Sequence, residues 1–209
     1  MNVLPYGDRA VLLDVADRSD AASVLERVRA AITARDGVIE VIGGARTVLV
    51  EVDPRVIDLA AVADAMLAAA NDDAADDAAA TAVGDVVELA VSYDGADLGA
   101  VAALIGASID ELVRLHTAPT YAVAFCGFSP GFGYLTGLDP RLQLPRLPQP
   151  RTAVPAGSVG IAGEYTGVYP RSSPGGWRLL GRTEAPIWDV DRTPPALLRP
   201  GARVRFVAT

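Results

Sequence analysis

The chain has 209 residues, a net charge of −8 and one cysteine, and every one of its 18 basic residues is arginine. Without lysine there is no Schiff-base or lysine nucleophile and no Walker-type phosphate loop, and the acidic balance argues against a nucleic-acid partner. A single cysteine excludes an internal disulfide and fits a reducing cytoplasm; no apolar run approaches a membrane span and no N-terminal signal segment is expected.

Charge is unevenly spread. Residues 1–115 carry 8 arginines against 21 acidic residues, and residues 116–209 carry 10 against 5. The second half is thus a cationic body, suited to a carboxylate or phosphate ligand or simply to neutralising the first half across an interface.

Along the first half, strand and helix patterns alternate. Arg9–Val15 reads as a strand. A helix follows from about Asp20 to Arg35, with Val24, Leu25, Val28 and Ile32 on one face, Asp20 as N-cap and Gly37 as stop. Val38–Ile42 and Thr47–Val52 are β-branched runs joined around Gly43-Gly44, a hairpin signal. Asp53-Pro54 predicts the opening of a second helix bearing Leu59, Val62, Met66 and Leu67. Val86–Tyr93 reads as a further strand. The order β-α-β-β-α-β predicts a split βαβ, ferredoxin-like α/β sandwich. Asn71–Asp85, rich in alanine and aspartate, reads as a connector, giving an N-terminal domain over 1–85 and a second over 86–209.

Leu98–Gly106 and Ser108–His116 read as short helices, the latter opened by a capping box in which Glu111 reaches back to Ser108. Beyond Thr117 the helical signal stops. Thirteen of the fifteen prolines lie there, so this part is composed of short strands and loops, and a compact β-barrel is expected.

Three glycine- and proline-dense blocks dominate this second half: GFSPGFGYL (Gly127–Leu135), PRTAVPAGSVGIAG (Pro150–Gly163) and TGVYPRSSPGGW (Thr166–Trp177). They read as shaped loops between strands, where binding groups commonly sit. The first contains G-x-S-x-G around Ser129, but the residue after the serine is Pro130, which has no N–H for an oxyanion hole, so a nucleophile elbow is rejected. His116, the one histidine, suits either general acid/base work or interaction with the last carbonyls of its helix. Cys126 follows an apolar strand and is assigned no chemistry. Arg151 and Arg171 lie in the loops; of the two, Arg151 is the candidate fork for an anion, beside Gly157 and Ser158 as a backbone nest. Tyr134, Tyr169 and Trp177 form either an apolar wall with polar tips or core packing. No metal-ligand spacing is present.

The three blocks in order, with HTAPTYAVAFC before them and LLRPGARVRFV after, resemble the family of B-type 5-oxoprolinase subunits, also called allophanate hydrolase subunit 1 or the KipI type. Two positions depart from its pattern, Gly133 in place of proline and Tyr165 in place of glutamine. The resemblance implies a cyclophilin-like barrel for the second domain. It also implies one component of an ATP-dependent 5-oxoprolinase that opens 5-oxoproline to L-glutamate. Such a component would be inactive alone and cytoplasmic, with C-type and A-type partner subunits and with ATP and Mg held jointly with them. On that basis His116 is the catalytic candidate, and Pro130, Gly131, Tyr134, Arg151, Gly157, Ser158, Thr166, Tyr169 and Trp177 are the substrate-binding candidates. The same family leaves two other readings open: an inhibitor of a sensor histidine kinase, and a component of a urea- or allophanate-metabolising, carboxyltransferase-like system.

Overall fold

The computed structural model describes residues 1–15, 21–72 and 86–209. It divides into two compact units, Met1–Val83 and Gly84–Thr209. No described helix is long and apolar enough to cross a membrane.

Among its described residues the first unit is a four-stranded antiparallel sheet with two helices. Its strands are β1 (Asn2–Tyr6), β2 (Ala10–Asp14), β3 (Val38–Gly43) and β4 (Thr47–Val52), in the spatial order β1-β2-β4-β3. Helix α1 (Ala21–Ile32) buries Val24, Leu25, Val28 and Ile32, the face read from the sequence, and α2 (Leu59–Ala70) buries Val62 and Met66. Together with the alternating residues Val48, Val50 and Val52 these side chains form one core. Each fully buried side chain of this kind contributes about 1.5–3 kcal/mol. Gly37 takes φ +89° after the helix, and Gly44 N donates to Thr47 O at 2.8 Å in the β3–β4 hairpin. Asp20, the expected N-cap, lies outside the described residues, as does most of the expected connector.

Two expectations are corrected here. The split βαβ order does not hold, because Val86–Tyr93 supplies no strand to this sheet. The edge place beside β2 is taken by β1, whose proline and exposed side chains carry no alternating signal. Nor does Asp53-Pro54 open a helix. The Asp53 carboxylate accepts from Arg55 N at 3.0 Å and its carbonyl from Val56 N and Ile57 N, making a turn, and α2 starts only at Leu59.

The second unit is a seven-stranded, nearly closed barrel-like sheet with few helices. In spatial order its strands are β12 (Arg178–Arg182), β9 (Ser158–Ala162), β10 (Tyr165–Val168), β7 (Gly133–Thr136), β6 (Tyr121–Cys126), β13 (Arg203–Ala208) and β5 (Val87–Val91). All neighbours are antiparallel except β13 and β5. The sheet curls back on itself where Ser92, just past β5, exchanges two 2.9 Å hydrogen bonds with Arg182 of β12; Gly95 N and Asp97 N continue the pairing to Leu180 O and Leu179 O. Gly181 permits this approach, since a Cβ there would stand 2.3 Å from Ser92 O.

Alternation at period two sends Leu89, Val91, Tyr121, Val123, Val204 and Phe206 inward. Helices α3 (Leu98–Leu104) and α4 (Ile109–Thr117) add Leu98, Val101, Leu112 and Leu115 to the same core. Ser108 caps α4 by accepting from Glu111 N at 3.1 Å; the Glu111 carboxylate turns to Arg114 and Arg141 rather than back to the cap. Strand β9 is buried at all five positions. Its second face is covered by another cluster, Phe132, Val154, Ala162, Tyr169, Trp177 and Leu179, which includes Val154 of β8 (Arg151–Val154). β8 pairs with β11 (Ser173–Gly175) in a separate two-stranded sheet.

Candidate functional site: an aromatic cleft headed by one arginine

The glycine- and proline-dense blocks converge on this outer cluster. Phe132 stands edge-on to Tyr134, Tyr169 and Trp177, with ring centroids 5.1–5.2 Å apart. Tyr134 stacks on Phe125 at 4.3 Å, and Tyr165, one of the two departures from the family pattern, meets both edge-on. A cleft of about 60 Å³ opens at this cluster, lined by Phe128, Phe132, Tyr134, Arg146, Tyr169 and Trp177 with the backbone of Gly175 and Gly176. Offset and edge-on aromatic pairs each contribute about 0.5–1.5 kcal/mol beyond their burial, so the walls are rigid.

Among the described residues Arg146 is the only charged one in the lining. Its loop is pinned on both sides, by Leu147 N donating to Gly176 O at 2.8 Å and Arg178 Nε donating to Pro145 O at 3.0 Å. Burial pushes the Tyr134 phenol above its ordinary value, while the Arg146 guanidinium beside it pulls the other way. Burial likewise raises Tyr169, against a hydrogen bond from the Trp177 backbone. Both phenols are therefore neutral near pH 7 and act as hydrogen-bonding tips.

Phe128 lines the mouth. It is 59% exposed and is the one described non-glycine residue with positive φ, at +67°. The tight turn Gly127–Phe132 holds it there through Ser129 N to Gly127 O at 2.7 Å and Phe132 N to Ser129 O at 3.0 Å. Left-handed backbone at a bulky residue is strained, and such strain concentrates at ligand clamps.

Of the residues singled out in the sequence, Tyr134, Tyr169 and Trp177 meet in the cleft, and the others do not. Arg151 Nη2 donates to both oxygens of Asp97, at 2.7 and 2.9 Å, and Nη1 to Trp177 O, so its fork is filled by the protein itself. The nest at Gly157 and Ser158 is filled too. Gly157 N donates to Tyr169 O at 2.7 Å, and Ser158 is a buried β-strand residue. Gly131 and Pro130 shape the Gly127–Phe132 turn rather than line the cleft, and a Cβ on Gly131 would meet Trp188 at 2.9 Å.

His116 is fully buried in the barrel, stacked on Phe206 at 4.6 Å. Thr166, also fully buried, donates its hydroxyl proton to Gly160 O at 3.1 Å. Its 2.9 Å contact with His116 Nε2 must then be donated by the imidazole, which leaves Nδ1 to accept from Tyr93 Oη at 2.7 Å. Both ring nitrogens are satisfied in the neutral form, and desolvation lowers the histidine to about 3. This geometry argues against both His116 and Thr166 as ligand-facing groups. Ser129 Oγ is buried and makes no hydrogen bond. Cys126 Sγ is 3.5 Å from Leu198 O.

A family model for the carboxyltransferase domain, subdomain C and D, matches residues 1–198. The chain belongs to that family. The resemblance carried by the three blocks is borne out as well. The B-type 5-oxoprolinase subunit of Escherichia coli O157:H7 is 52% identical over 124 residues, spanning 58% of this chain and 57% of that one. That of Bacillus subtilis is 46% identical over 125 residues, spanning 58% and 52%. The chain thus matches little more than half the length of these curated relatives. Among solved structures, TTHA0988 superposes with a TM-score of 0.82 at 35% identity, covering 96% of this chain and 39% of that one.

Arg146, Phe128 and Phe132 went unremarked in the sequence. Both phenylalanines stand inside GFSPGFGYL, and a phenylalanine between turn residues is the signal that marks them. Arg146 sits in the proline-dense LPRLPQP, a stiff loop of the kind that presents a single side chain.

Proposed function

We propose that the chain is the B-type component of an ATP-dependent 5-oxoprolinase and supplies one wall of an active site that a C-type partner completes. One observation carries this reading: the cleft holds about 60 Å³, whereas a site that encloses a small molecule usually measures about 300–1,000 Å³. Such a space takes in part of a small flat ring. The rest of the ligand is left for a second surface to cover.

The chemistry of the lining fits a binding wall. A five-membered lactam carrying a carboxylate presents a flat face to Tyr134, Phe132 and Trp177 and an anionic end to Arg146. The Tyr134 and Tyr169 hydroxyls orient it by hydrogen bonds. A lactam is a poor electrophile at neutral pH; ATP activates it by phosphorylating its oxygen with release of ADP, water then attacks the ring carbon and the C–N bond breaks to leave an acyl phosphate, and a second water releases phosphate and L-glutamate. That attack needs a proton acceptor, and the cleft contains no carboxylate or imidazole. In this reading Mg comes with the ATP phosphates and is held together with the partner subunits. In this scheme His116 and Arg151 keep the barrel in shape and touch no substrate.

The test is reconstitution. The purified chain is expected to show no turnover with ATP and 5-oxoproline, and to gain it when mixed with A-type and C-type partners. Turnover by the chain alone, or a reconstituted complex indifferent to loss of Arg146, defeats the shared-site reading.

A further inference from the structure

A much larger cavity of the second unit lies elsewhere. It measures about 550 Å³ and lies at the starts of the parallel strands β5 and β13, with Val87, Leu197 and Pro200 among its walls. Among the described residues its lining contains three arginines, Arg192, Arg199 and Arg203, and no acidic residue. In a chain of net charge −8 this is a concentrated cationic surface.

The three arginines do different things. Arg192 is spent on the frame: it donates to the carbonyls of Pro186, Ile187, Pro194 and Pro195 at 2.7–3.3 Å and so holds the 186–195 loop. Arg199 and Arg203 are exposed and make no side-chain hydrogen bond or ion pair among the described residues. The acidic residue nearest in sequence to Val87, Glu88, is engaged by Arg205. The backbone between the two free arginines is fixed, with Gly201 N donating to Val123 O at 2.8 Å, Ala202 N to Arg199 O at 2.9 Å, and Leu198 fully buried.

We propose that this cavity is a binding site for a multiply charged phosphate-type oxyanion, with Arg199 and Arg203 as its ligands. Pro194 and Pro200 offer no N–H, and those of Leu197, Gly201 and Ala202 are spent on Ile187 O, Val123 O and Arg199 O, so recognition rests mainly on the two guanidinium forks. Each fork matches a pair of oxygens on a tetrahedral anion, and a dianion satisfies both at once where a lone carboxylate satisfies one. The pinned loop leaves little to be ordered on binding. The volume lies within the range of small-molecule sites and takes a diphosphate with an organic body against Val87, Leu197 and Pro200. The proposal does not depend on the function assigned to the aromatic cleft.

The experiment is calorimetric titration of the full chain with inorganic phosphate and diphosphate at low salt, alongside acetate, citrate and an oligoglutamate peptide. Diphosphate is expected to bind, to weaken steeply with added salt, and to lose about tenfold or more of its affinity in each of Arg199→Ala and Arg203→Ala. Arg199→Lys, which keeps the charge and loses the fork, should weaken binding as well. Arg146→Ala should leave it unchanged, which separates this site from the cleft. Because both side chains are exposed, the variants should melt with the wild type. Absence of diphosphate binding at millimolar concentration, or binding indifferent to both alanine variants, overturns the proposal. Citrate or oligoglutamate binding as tightly as diphosphate overturns the phosphate assignment.

Discussion

Arg151 Nη2 donates to both carboxylate oxygens of Asp97, and Asp97 Oδ2 also accepts from Leu179 N at 2.7 Å. Three separate pieces of chain meet there: the start of α3, the first residue of β8, and β12 where the barrel curls closed. Removing either partner leaves the other charge underground with its hydrogen bonds unmet. We expect Asp97→Ala and Arg151→Ala each to lower stability by about 2–3 kcal/mol. Arg151→Lys should recover part of the loss. Urea unfolding checks this, and a melting temperature unchanged in both alanine variants would show that the pair is dispensable.

Gly181 tests the closure directly. The Cβ of Gly181→Ala would stand 2.3 Å from Ser92 O and 3.0 Å from Tyr93 Cα, both of them backbone atoms rather than the end of a flexible side chain that could yield. Overpacking of this kind costs about 1–3 kcal/mol. The variant should unfold at clearly lower denaturant, with far-UV circular dichroism retained before the transition.

His116 gives a pH signature. Folded, it titrates at about 3 against 6.5 for the exposed group. Between those values the unfolded chain takes up a proton that the folded chain refuses. Its contribution is therefore complete above about pH 6.5 and is lost as pH falls toward 3, at up to about 1.4 kcal/mol per pH unit. His116→Gln should be less stable than wild type at pH 7.5, and the gap should narrow by about 2 kcal/mol on going to pH 5. Carboxylates titrate in both proteins and cancel in the difference. A gap that stays constant would mean that the imidazole is solvated.

The same residue shows where reading the sequence stops. The helix ending at His116 was legible from Ser108 and the spacing of Leu112 and Leu115, but whether its last turn faces water or the barrel depends on Tyr93, Thr166 and Phe206, 23 to 90 positions away. Arg151 was legible as an arginine in a shaped loop; its acidic partner lies 54 residues upstream, and no local pattern links them. The helices, the β3–β4 hairpin and the β-rich second half follow from periodicity and proline placement. Strand β1 does not, because an exposed edge strand needs no apolar alternation. The cleft was half legible: three aromatics were named, and the arginine that gives it polarity was not.

Arg146 should separate binding from folding. Arg146→Ala in the reconstituted complex is expected to raise KM and lower kcat/KM for 5-oxoproline by about 10–100-fold, the loss of one charge-assisted hydrogen-bonded contact. Its thermal melt should match the wild type, since the side chain is exposed. Equal losses with a ligand lacking the carboxylate would remove Arg146 from the role of anion holder.

Phe128 offers the last test, because neither its backbone conformation nor its exposure favours stability. A phenyl ring 59% exposed contributes little burial, and a φ of +67° costs of order 1 kcal/mol or more for such a residue. Phe128→Gly removes the strain and adds about 0.5–1 kcal/mol of backbone entropy cost, so the two nearly cancel and the melting temperature should move little. The ring that packs edge-on to Phe132 at 5.4 Å and closes the mouth of the cleft is lost, however. Activity of the reconstituted complex should therefore fall while stability holds. If Phe128→Gly instead unfolds early and keeps normal activity per folded molecule, the ring is there to cover the cluster beneath it and takes no part in holding a ligand.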